Sequence, residues 1–305
     1  MRPAVLLSHE MLAPLQGALA GEYEVLRRWE NPDVSDVRAV VHAGEFRLEP
    51  EFLASMPRLG LIACVSVGYD GVPVDWCREH GIAVTHSVGL NAEDVADVAL
   101  GLMIGAWRGV VEGDRRLREG RWTHADRMRP RRSLGGKKAG VVGLGHIGEA
   151  VARRLEAIGM EVSWWGPRPK AARWPRADSL LALAQQSDVL VVACLANAEN
   201  RHLISREVIE ALGPKGCLVN VARGSLVDED ALIAALKDGG LGMAALDVYE
   251  TEPTPPERWA DVPNTVLTPH IAGGTIESIP QMVGQTLENL RRFFAGEPLA
   301  TPVQG

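Results

Sequence analysis

The feature that most constrains the fold of this chain is a glycine pattern between an apolar segment and a helical one. Gly143, Gly145 and Gly148 have the spacing Gly-x-Gly-x-x-Gly within GVVGLGHIGEAVARRLEAIG. In a strand-turn-helix unit the first glycine permits the tight turn, the second lets the backbone approach a pyrophosphate, and the third lets the helix pack closely on the strand. The amides at the helix N-terminus would face the phosphate. The pattern predicts a dinucleotide-binding turn, and a glycine-rich turn without a ligand is the alternative.

Short apolar runs alternate with helical patterns on both sides of this turn. The predicted strands are residues 4–8, 38–43, 59–67 and 82–86 before it, and 139–144, 161–165, 189–194, 217–222, 242–248 and 265–268 from there on. This alternation is typical of a parallel sheet with helices on both faces. With 305 residues, of which 46% are hydrophobic and 23% charged, the chain is long enough for two such domains.

Three helices have clear sequence signals. The first is predicted from Asn91, with its side chain as the cap and acids in the first turn, to Leu117. A second starts at Asp228 and stops at Gly239. The last precedes Gly296 and Pro298 and is predicted to place one apolar face on the core, made of Ile276, Ile279, Val283, Leu287, Leu290 and Phe294.

Charge and cysteine content narrow the function classes. The net charge of −7 gives no general reason to bind nucleic acid or an anionic membrane. One segment, Arg115 to Lys138, holds ten basic residues and only two acids, and it is either a solvated connector or a face for an anion or another subunit. The four cysteines have no metal-binding or redox spacing and fit a reducing cytosol. The first apolar stretch is too short for a signal peptide or a membrane span.

The end of the second predicted strand of the dinucleotide fold bears on cofactor choice. An NAD-selective site carries Asp or Glu there for the ribose 2′-hydroxyl. This chain has WWGPRPK, with no acid between Val162 and Ala177. The basic residues in that interval are Arg168, Lys170, Arg173 and Arg176. These side chains could bind the 2′-phosphate of NADP, so the sequence favours NADP. In the alternative they are only exposed cations of a loop, and either NADP or NAD binds.

Three polar residues follow predicted strands, where an open parallel sheet has its ligand crevice. Arg223 could hold a carboxylate in a bidentate pair, although a lone arginine there is more often a surface ion pair. Glu252 and His270 leave the next two strands. A histidine beside a carboxylate gains affinity for its proton, as a general acid requires. Each residue alone would fit an ordinary loop.

Six segments together resemble the D-2-hydroxyacid dehydrogenases, and within them the glyoxylate/hydroxypyruvate reductase and hydroxyphenylpyruvate reductase branch. They are SVGYDGVPVD (66–75), NAEDVADVALGLM (91–103), VVGLGHIG (141–148), LGPKGCLVNVARGSLVDEDALIAAL (212–236), LDVYETEP (246–253) and TPHIAGGT (268–275). The segments span nearly the whole chain in the family's order. This chain differs from the family pattern at three places. His146 stands where relatives often have Arg, and Gly166 stands where NAD-dependent relatives have Asp. The chain also has an extra residue around positions 71–73.

The resemblance implies the catalytic residues. His270 would protonate the developing alkoxide, Glu252 would orient and charge that imidazole, and Arg223 would bind the substrate carboxylate, together with backbone amides of Val67 and Gly68. The implied cofactor contacts are Gly143, Gly145, His146, Ile147, Gly148, Gly166, Pro167, Arg168, Cys194, Ala222, Asp247 and Gly273. No metal is implied.

The resemblance also implies an α/β architecture of two doubly wound, Rossmann-like parallel-sheet domains with the active cleft between them. Residues 1–90 with 276–305 would form a flavodoxin-like substrate-binding domain, and residues 91–275 an NAD(P)-binding domain inserted into it. The expected protein is a cytoplasmic homodimer whose only other partner is a small 2-ketoacid or 2-hydroxyacid, with no nucleic acid and no membrane.

The function expected on this basis is NADPH-preferring reduction of glyoxylate, hydroxypyruvate or an aryl pyruvate to the D-2-hydroxyacid. A phosphoglycerate-type NAD dehydrogenase is the enzymatic alternative, and the missing acid at Gly166 counts against it. A dinucleotide-sensing, corepressor-like protein is the non-enzymatic alternative. The chain shows no basic extension that would support DNA binding.

Overall fold

The computed structural model describes residues 2–303, which divide into two compact units. Unit 1 consists of residues 2–91 and 275–303, and unit 2 of residues 92–274. Each unit contains one parallel sheet with helices. The predicted class, two parallel-sheet α/β domains, is confirmed.

Unit 1 is built on a five-stranded parallel sheet. Its strands are β1 Ala4–Leu7, β2 Glu24–Arg27, β3 Val37–His42, β4 Leu61–Cys64 and β5 Ala83–Thr85, and its first helices are α1 Gln16–Leu19, α2 Pro50–Ala54 and α3 Val74–Glu79. The strand order is β2-β1-β3-β4-β5. This is the flavodoxin-like order, in which the connections reverse direction between β1 and β3.

The edge strand β2 is absent from the sequence-based prediction. Its residues EVLR pair only with β1, and none of the four is fully buried. An edge strand has one free side and needs no continuous apolar run, so the hydrophobic pattern gave no signal there.

The core of unit 1 lies on both faces of its sheet. Alternate residues of β1 point to opposite sides, so Leu6 packs in one apolar cluster while Val5 and Leu7 pack in the other. All three are fully buried. Burial on both faces is the reason these strands read as continuous apolar runs.

Unit 2 is built on a six-stranded parallel sheet. Its strands are β6 Lys138–Val142, β7 Glu161–Trp165, β8 Val189–Val192, β9 Cys217–Asn220, β10 Met243–Leu246 and β11 Thr265–Leu267, and its helices are α4 Ala92–Trp107, α5 Val110–Arg118, α6 His124–Met128, α7 His146–Ala157, α8 Leu180–Gln185, α9 Arg206–Leu212, α10 Glu229–Asp238 and α11 Pro256–Trp259. The strand order is β11-β10-β9-β8-β6-β7. All six strands were predicted, with ends that differ by a few residues. The order reverses between β6 and β8, where such sheets bind ligands.

The predicted single helix from Asn91 to Leu117 is wrong. Gly109 adopts a left-handed conformation, with φ of 64°, and separates α4 from α5. The predicted cap is wrong as well, because the buried Oδ1 of Asn91 makes no hydrogen bond within the described residues. The predicted helix after Asp228 is confirmed, since the Asp228 carboxylate accepts the Ala231 N–H at 2.9 Å and Gly239 ends α10 with φ of 82°.

The chain returns to unit 1 as α12, Ser278–Ala295. The predicted apolar face is wrong at its start, because Ile276 precedes the helix and is 87% exposed, and Ile279 is 49% exposed. The buried face instead includes Thr286 and Asn289. Asn289 accepts the Ala300 N–H at 2.9 Å and donates to Thr301 Oγ1 at 2.9 Å. A polar residue is therefore buried here because it binds the backbone that follows the helix.

The basic segment from Arg115 to Lys138 is largely paired with nearby acids. Its ion pairs are Arg116–Asp126, Arg118–Asp114, Arg121–Glu119, Arg129–Glu112, Arg131–Glu112 and Arg132–Asp188. Six of the ten basic residues in this segment thus have an acidic partner within unit 2. No helix within residues 2–303 has both the length and the apolar character needed to span a bilayer.

Candidate active site

Three polar side chains follow three neighbouring strands of unit 2. Arg223 follows β9, Glu252 follows β10 and His270 follows β11, and these strands are adjacent in the sheet. All pairing is parallel, so their carboxyl ends lie at one edge. The topology therefore places the three predicted residues on one side of the sheet.

Glu252 and His270 form a close pair. Nδ1 of His270 lies 2.6 Å from Oε2 of Glu252, and 33% of each side chain is exposed. The other oxygen of Glu252 accepts the backbone N–H of Tyr249 at 2.9 Å. Because the carboxylate accepts from Nδ1, Nε2 is the ring nitrogen left for a reacting group.

The pair shifts both pKa values toward the charged forms. The hydrogen bond with Glu252 raises the pKa of His270 above its ordinary value, although burial opposes this. Burial by itself would raise the pKa of Glu252, but hydrogen bonds from His270 and the Tyr249 N–H, with the charges of His270 and Arg223, lower it. The contact thereby favours a protonated imidazole beside an ionised carboxylate.

Arg223 is half-buried and its backbone is extended. Its guanidinium donates to the carbonyl of Ala222 at 2.8 Å. Asn220 braces the turn, donating to the Arg223 carbonyl at 2.9 Å and accepting the Ala222 N–H at 3.1 Å. The Arg223 charge acts on both Glu252 and His270. The site thus combines a guanidinium with a carboxylate-bound imidazole.

The three glycines occupy the turn between β6 and α7 and differ in what surrounds them. Gly143 has φ of 88°, and a Cβ there would lie 2.5 Å from Cα of Cys194. A Cβ at Gly148 would lie 1.9 Å from the carbonyl oxygen of Gly143, so the close packing of α7 on the strand requires glycine. A Cβ at Gly145 would meet nothing within 4 Å. Gly145 therefore borders open space at the N-terminus of a 12-residue helix, as a pyrophosphate site requires.

The basic cluster after β7 is mostly engaged within unit 2. Lys170 donates to the Leu144 carbonyl at 2.8 Å and pairs with Glu149, Arg173 pairs with Glu156, and Arg176 donates to the Gly166 carbonyl at 2.7 Å. Arg168 is exposed and has neither a hydrogen bond nor an ion pair with any residue that the structure describes. Of the four cations, Arg168 alone is thus left with all its donors for a ligand, as judged within residues 2–303.

Known proteins match the chain over its full length. Residues 100–272 match the family described as D-isomer specific 2-hydroxyacid dehydrogenase, NAD binding domain. The chain is 39% identical over 308 residues to hydroxyphenylpyruvate reductase of Plectranthus scutellarioides, covering 98% of both chains. It is 38% identical to glyoxylate/hydroxypyruvate reductase A of Arabidopsis thaliana, again with 98% of each covered.

The chain belongs to the D-isomer specific 2-hydroxyacid dehydrogenase family. A solved NADPH-dependent glyoxylate/hydroxypyruvate reductase from Sinorhizobium meliloti, in complex with NADP and malonate, is 34% identical with a TM-score of 0.91, and the match covers 99% and 97% of the two chains. A 2-hydroxyacid dehydrogenase structure from Ketogulonicigenium vulgare Y25 is 40% identical with a TM-score of 0.90, covering 100% and 99%. The predicted resemblance to this family is confirmed. The predictions that the protein is an oxidoreductase and that its cofactor is a nicotinamide dinucleotide are confirmed as well.

Asp247 has a structural role in this family member that the sequence did not indicate. It is 1% exposed, and its carboxylate accepts from Thr268 Oγ1 at 2.6 Å, from the Ile271 N–H at 3.0 Å and from the Ala272 N–H at 2.9 Å. Its carbonyl also accepts the N–H of His270 at 2.8 Å, where His270 has φ of 53°. Asp247 therefore holds the loop that carries the imidazole in a left-handed turn.

Tyr249 and Gly224 were also missed, and both join the loops that carry Arg223, Glu252 and His270. Tyr249 donates to the Thr268 carbonyl at 2.9 Å, and burial is the main cause that raises its pKa to about 12, so it stays protonated. A Cβ at Gly224 would lie 1.8 Å from the carbonyl carbon of Tyr249. The local sequence has no signal for these contacts other than a glycine directly after Arg223.

The predicted substrate contacts Val67 and Gly68 lie in a loop of unit 1. Their carbonyls accept from His86 Nδ1 at 2.8 Å and from Ser66 Oγ at 2.8 Å. Their N–H groups have no partner within the described residues. The loop around residues 71–73 carries the extra residue noted in the sequence. It is held by the N–H of Gly71, which donates to the Gly44 carbonyl at 2.8 Å.

The other predicted cofactor contacts are spread along the carboxyl edge of unit 2. Ile147, Cys194 and Gly273 are half-buried, Ala222 and Gly166 are buried, and His146 and Pro167 are exposed. Burial raises the pKa of Cys194 to about 11, which keeps its thiol protonated. Within residues 2–303 the His, Cys, Asp and Glu side chains form no group that could hold a metal ion.

Proposed function

We propose that this chain reduces a 2-ketoacid to the D-2-hydroxyacid with NADPH. The observation that carries the proposal is the His270–Glu252 pair at 2.6 Å with Arg223 on the adjacent strand end. The names of the two plant relatives support 2-ketoacids with small or aryl substituents. Glyoxylate, hydroxypyruvate and an aryl pyruvate are the substrates to test.

The residues divide the work of the reaction among themselves. When bound, the reduced dinucleotide would supply the hydride that the keto carbon accepts. His270 donates its Nε2 proton to the keto oxygen, which becomes the hydroxyl. Glu252 stabilises the imidazolium before that transfer, and Arg223 binds the substrate carboxylate through its guanidinium and polarises the keto oxygen. Solvent returns a proton to His270 after product leaves.

Preference for NADPH is a further part of the proposal. Gly166 stands where an acid would bind the ribose 2′-hydroxyl, and Arg168 two residues later can pair with a 2′-phosphate. Lys170, Arg173 and Arg176 bind protein groups. They would therefore shape the loop that carries Arg168 and would not contact the 2′-phosphate themselves. NAD remains a second cofactor at lower efficiency.

The remaining site assignments stand as proposals too. Unit 2 would bind the dinucleotide through the contacts inferred from the family resemblance, and unit 1 would contribute further substrate contacts. The free N–H groups of Val67 and Gly68 suit a carboxylate. A Val67→Pro variant, which removes one of these donors, should raise the KM for the ketoacid without changing the affinity for NADPH.

The test of the function is a steady-state screen of glyoxylate, hydroxypyruvate and phenylpyruvate with NADPH and with NADH, and of 3-phosphoglycerate with NAD. Turnover of a 2-ketoacid with NADPH supports the proposal. Oxidation of 3-phosphoglycerate alone would favour the phosphoglycerate-type dehydrogenase. Cofactor binding without any turnover would favour the dinucleotide-sensing alternative.

We also propose a cytoplasmic homodimer. Unit 2 exposes apolar side chains in the segment from α5 to α6, with Leu117 and Trp122 each 58% exposed and Met128 83% exposed. We propose that a second subunit covers these side chains, because exposed apolar patches commonly mark protein–protein contacts. Light scattering of the wild type and of Trp122→Glu tests the dimer, and cell fractionation tests the location.

A further inference from the structure

Unit 1 contains a cavity that the proposed reaction does not use. Its volume is about 630 Å³, within the range of small-molecule sites. Its lining includes Ser8, His9, Glu10, Arg28, Trp29 and Phe52. We propose that this cavity binds an aromatic carboxylate, with Arg28 as the partner of the carboxylate and Trp29 and Phe52 as walls for the ring.

The position of the cavity follows from the sheet. Ser8, His9 and Glu10 come directly after β1, and Arg28 and Trp29 come directly after the neighbouring strand β2. Parallel sheets bind ligands at the carboxyl ends of their strands, next to the point where the strand order reverses. In unit 1 that point lies between β1 and β3, and the cavity is next to it, at the carboxyl ends of β1 and β2.

Arg28 is held in place while keeping donors free. Its guanidinium carbon lies 3.9 Å from the centroid of the Phe52 ring, and its ion pair with Glu49 is long at 3.5 Å. The Arg28 side chain makes no hydrogen bond to any other residue that the structure describes. A stacked guanidinium loses little freedom when it binds a planar carboxylate in a bidentate pair.

Ser8, one of the lining residues, is hydrogen-bonded to His42, which does not itself line the cavity. His42 Nε2 lies 2.9 Å from the Phe46 carbonyl, which can only accept, so the ring proton is on Nε2. Ser8 Oγ therefore donates to Nδ1 of His42 at 2.7 Å and keeps its lone pairs. Burial is the main cause that lowers the pKa of His42 to about 4, so this pair stays neutral near pH 7.

The walls favour a flat apolar group with one anionic end. Trp29 and Phe52 are half-buried aromatics, and the His9 ring stacks on Phe46 with centroids 3.8 Å apart. His9 Nδ1 accepts the Met11 N–H at 3.3 Å, so its Nε2 can donate to the ligand. Glu10 is the acid in the lining and is exposed, so its charge should weaken binding of an anion.

The experiment uses the full chain and 4-fluorophenylacetate, which has no keto group to reduce, followed by fluorine NMR. The expected result is saturable binding that is equal in the wild type and in Arg223→Ala, about tenfold weaker in Arg28→Met, and stronger in Glu10→Gln. Arg47→Met is the matched control, because Arg47 is exposed and lies outside the lining. The neutral 4-fluorophenylacetamide should bind at least about tenfold more weakly than the acid.

The outcomes separate this site from the catalytic residues. The proposal does not depend on turnover, so it can hold even if no 2-ketoacid is reduced. It is wrong if no binding occurs, if Arg28→Met binds as the wild type does, or if Arg223→Ala abolishes binding. The comparison of acid with amide needs no variant, and equal affinity for the two would overturn the role of a cation even if Arg28→Met failed to fold.

Discussion

His270 Nδ1 lies 2.6 Å from Glu252 Oε2, and this contact is the largest cause that raises the pKa of the imidazole. Reduction needs a protonated His270, so activity should be full below the raised pKa and should fall as pH rises through it.

Glu252→Gln removes the charge that holds the proton on His270. The fall in kcat/KM for reduction should then begin at a lower pH than in the wild type, and kcat at neutral pH should decrease about 10²-fold. The measurement is a pH profile of NADPH oxidation for both proteins. An unchanged alkaline limb in Glu252→Gln would show that Glu252 does not set this pKa.

The proposed proton donor and carboxylate binder should be separable from cofactor binding. His270→Ala and Arg223→Ala should lose reduction by about 10³-fold or more while the Kd for NADPH, followed by its fluorescence, stays close to that of the wild type. Arg223→Lys should not restore the rate, because an ammonium cannot form the bidentate pair. Lys237→Ala is the control, since Lys237 pairs with Asp261 on the surface. Near wild-type rates in either alanine variant would refute its assigned role.

Cofactor preference should depend on Arg168 more than on its neighbours. Arg168→Ala should raise the KM for NADPH about tenfold and leave the KM for NADH unchanged, because only NADPH has the 2′-phosphate. Arg173→Ala is the matched control, since Arg173 pairs with Glu156. An equal effect of both changes would argue against a 2′-phosphate contact at Arg168.

Adding Gly166→Asp to Arg168→Ala should turn the preference toward NADH. A Cβ at position 166 would lie 3.3 Å from the Trp164 ring, so the variant should also lose about 1 kcal/mol of unfolding free energy. Denaturant unfolding and the ratio of kcat/KM for the two cofactors measure the two effects separately.

Alanine substitutions at Gly148 and at Gly145 should have different effects. Gly148→Ala places a methyl group against the Gly143 carbonyl and should destabilise unit 2 by about 1–3 kcal/mol. Gly145→Ala meets no protein atom within 4 Å, so its melting temperature should stay close to that of the wild type while NADPH affinity falls. Thermal melting with and without NADPH tests both. Normal NADPH affinity in Gly145→Ala would contradict the proposed pyrophosphate site.

Local patterns were sufficient for most of the fold. All six strands of unit 2 and the start and end of α10 could be predicted, because continuous apolar runs and capping residues act over a few neighbours. The edge strand β2 and the break at Gly109 could not be predicted, because a half-exposed strand lacks an apolar run and a glycine within a helical pattern can also continue the helix.

The order of residues along the chain was enough to indicate the family, the dinucleotide turn and the candidates Arg223, Glu252 and His270, since each lies in a short segment with its own chemistry. Only the folded chain decided which groups are already bound. Lys170, Arg173 and Arg176 bind protein groups, Asp247 holds the His270 loop, and Arg28 faces a cavity. These outcomes depend on contacts between residues far apart in sequence, and such contacts form only when the sheet brings its strand ends together.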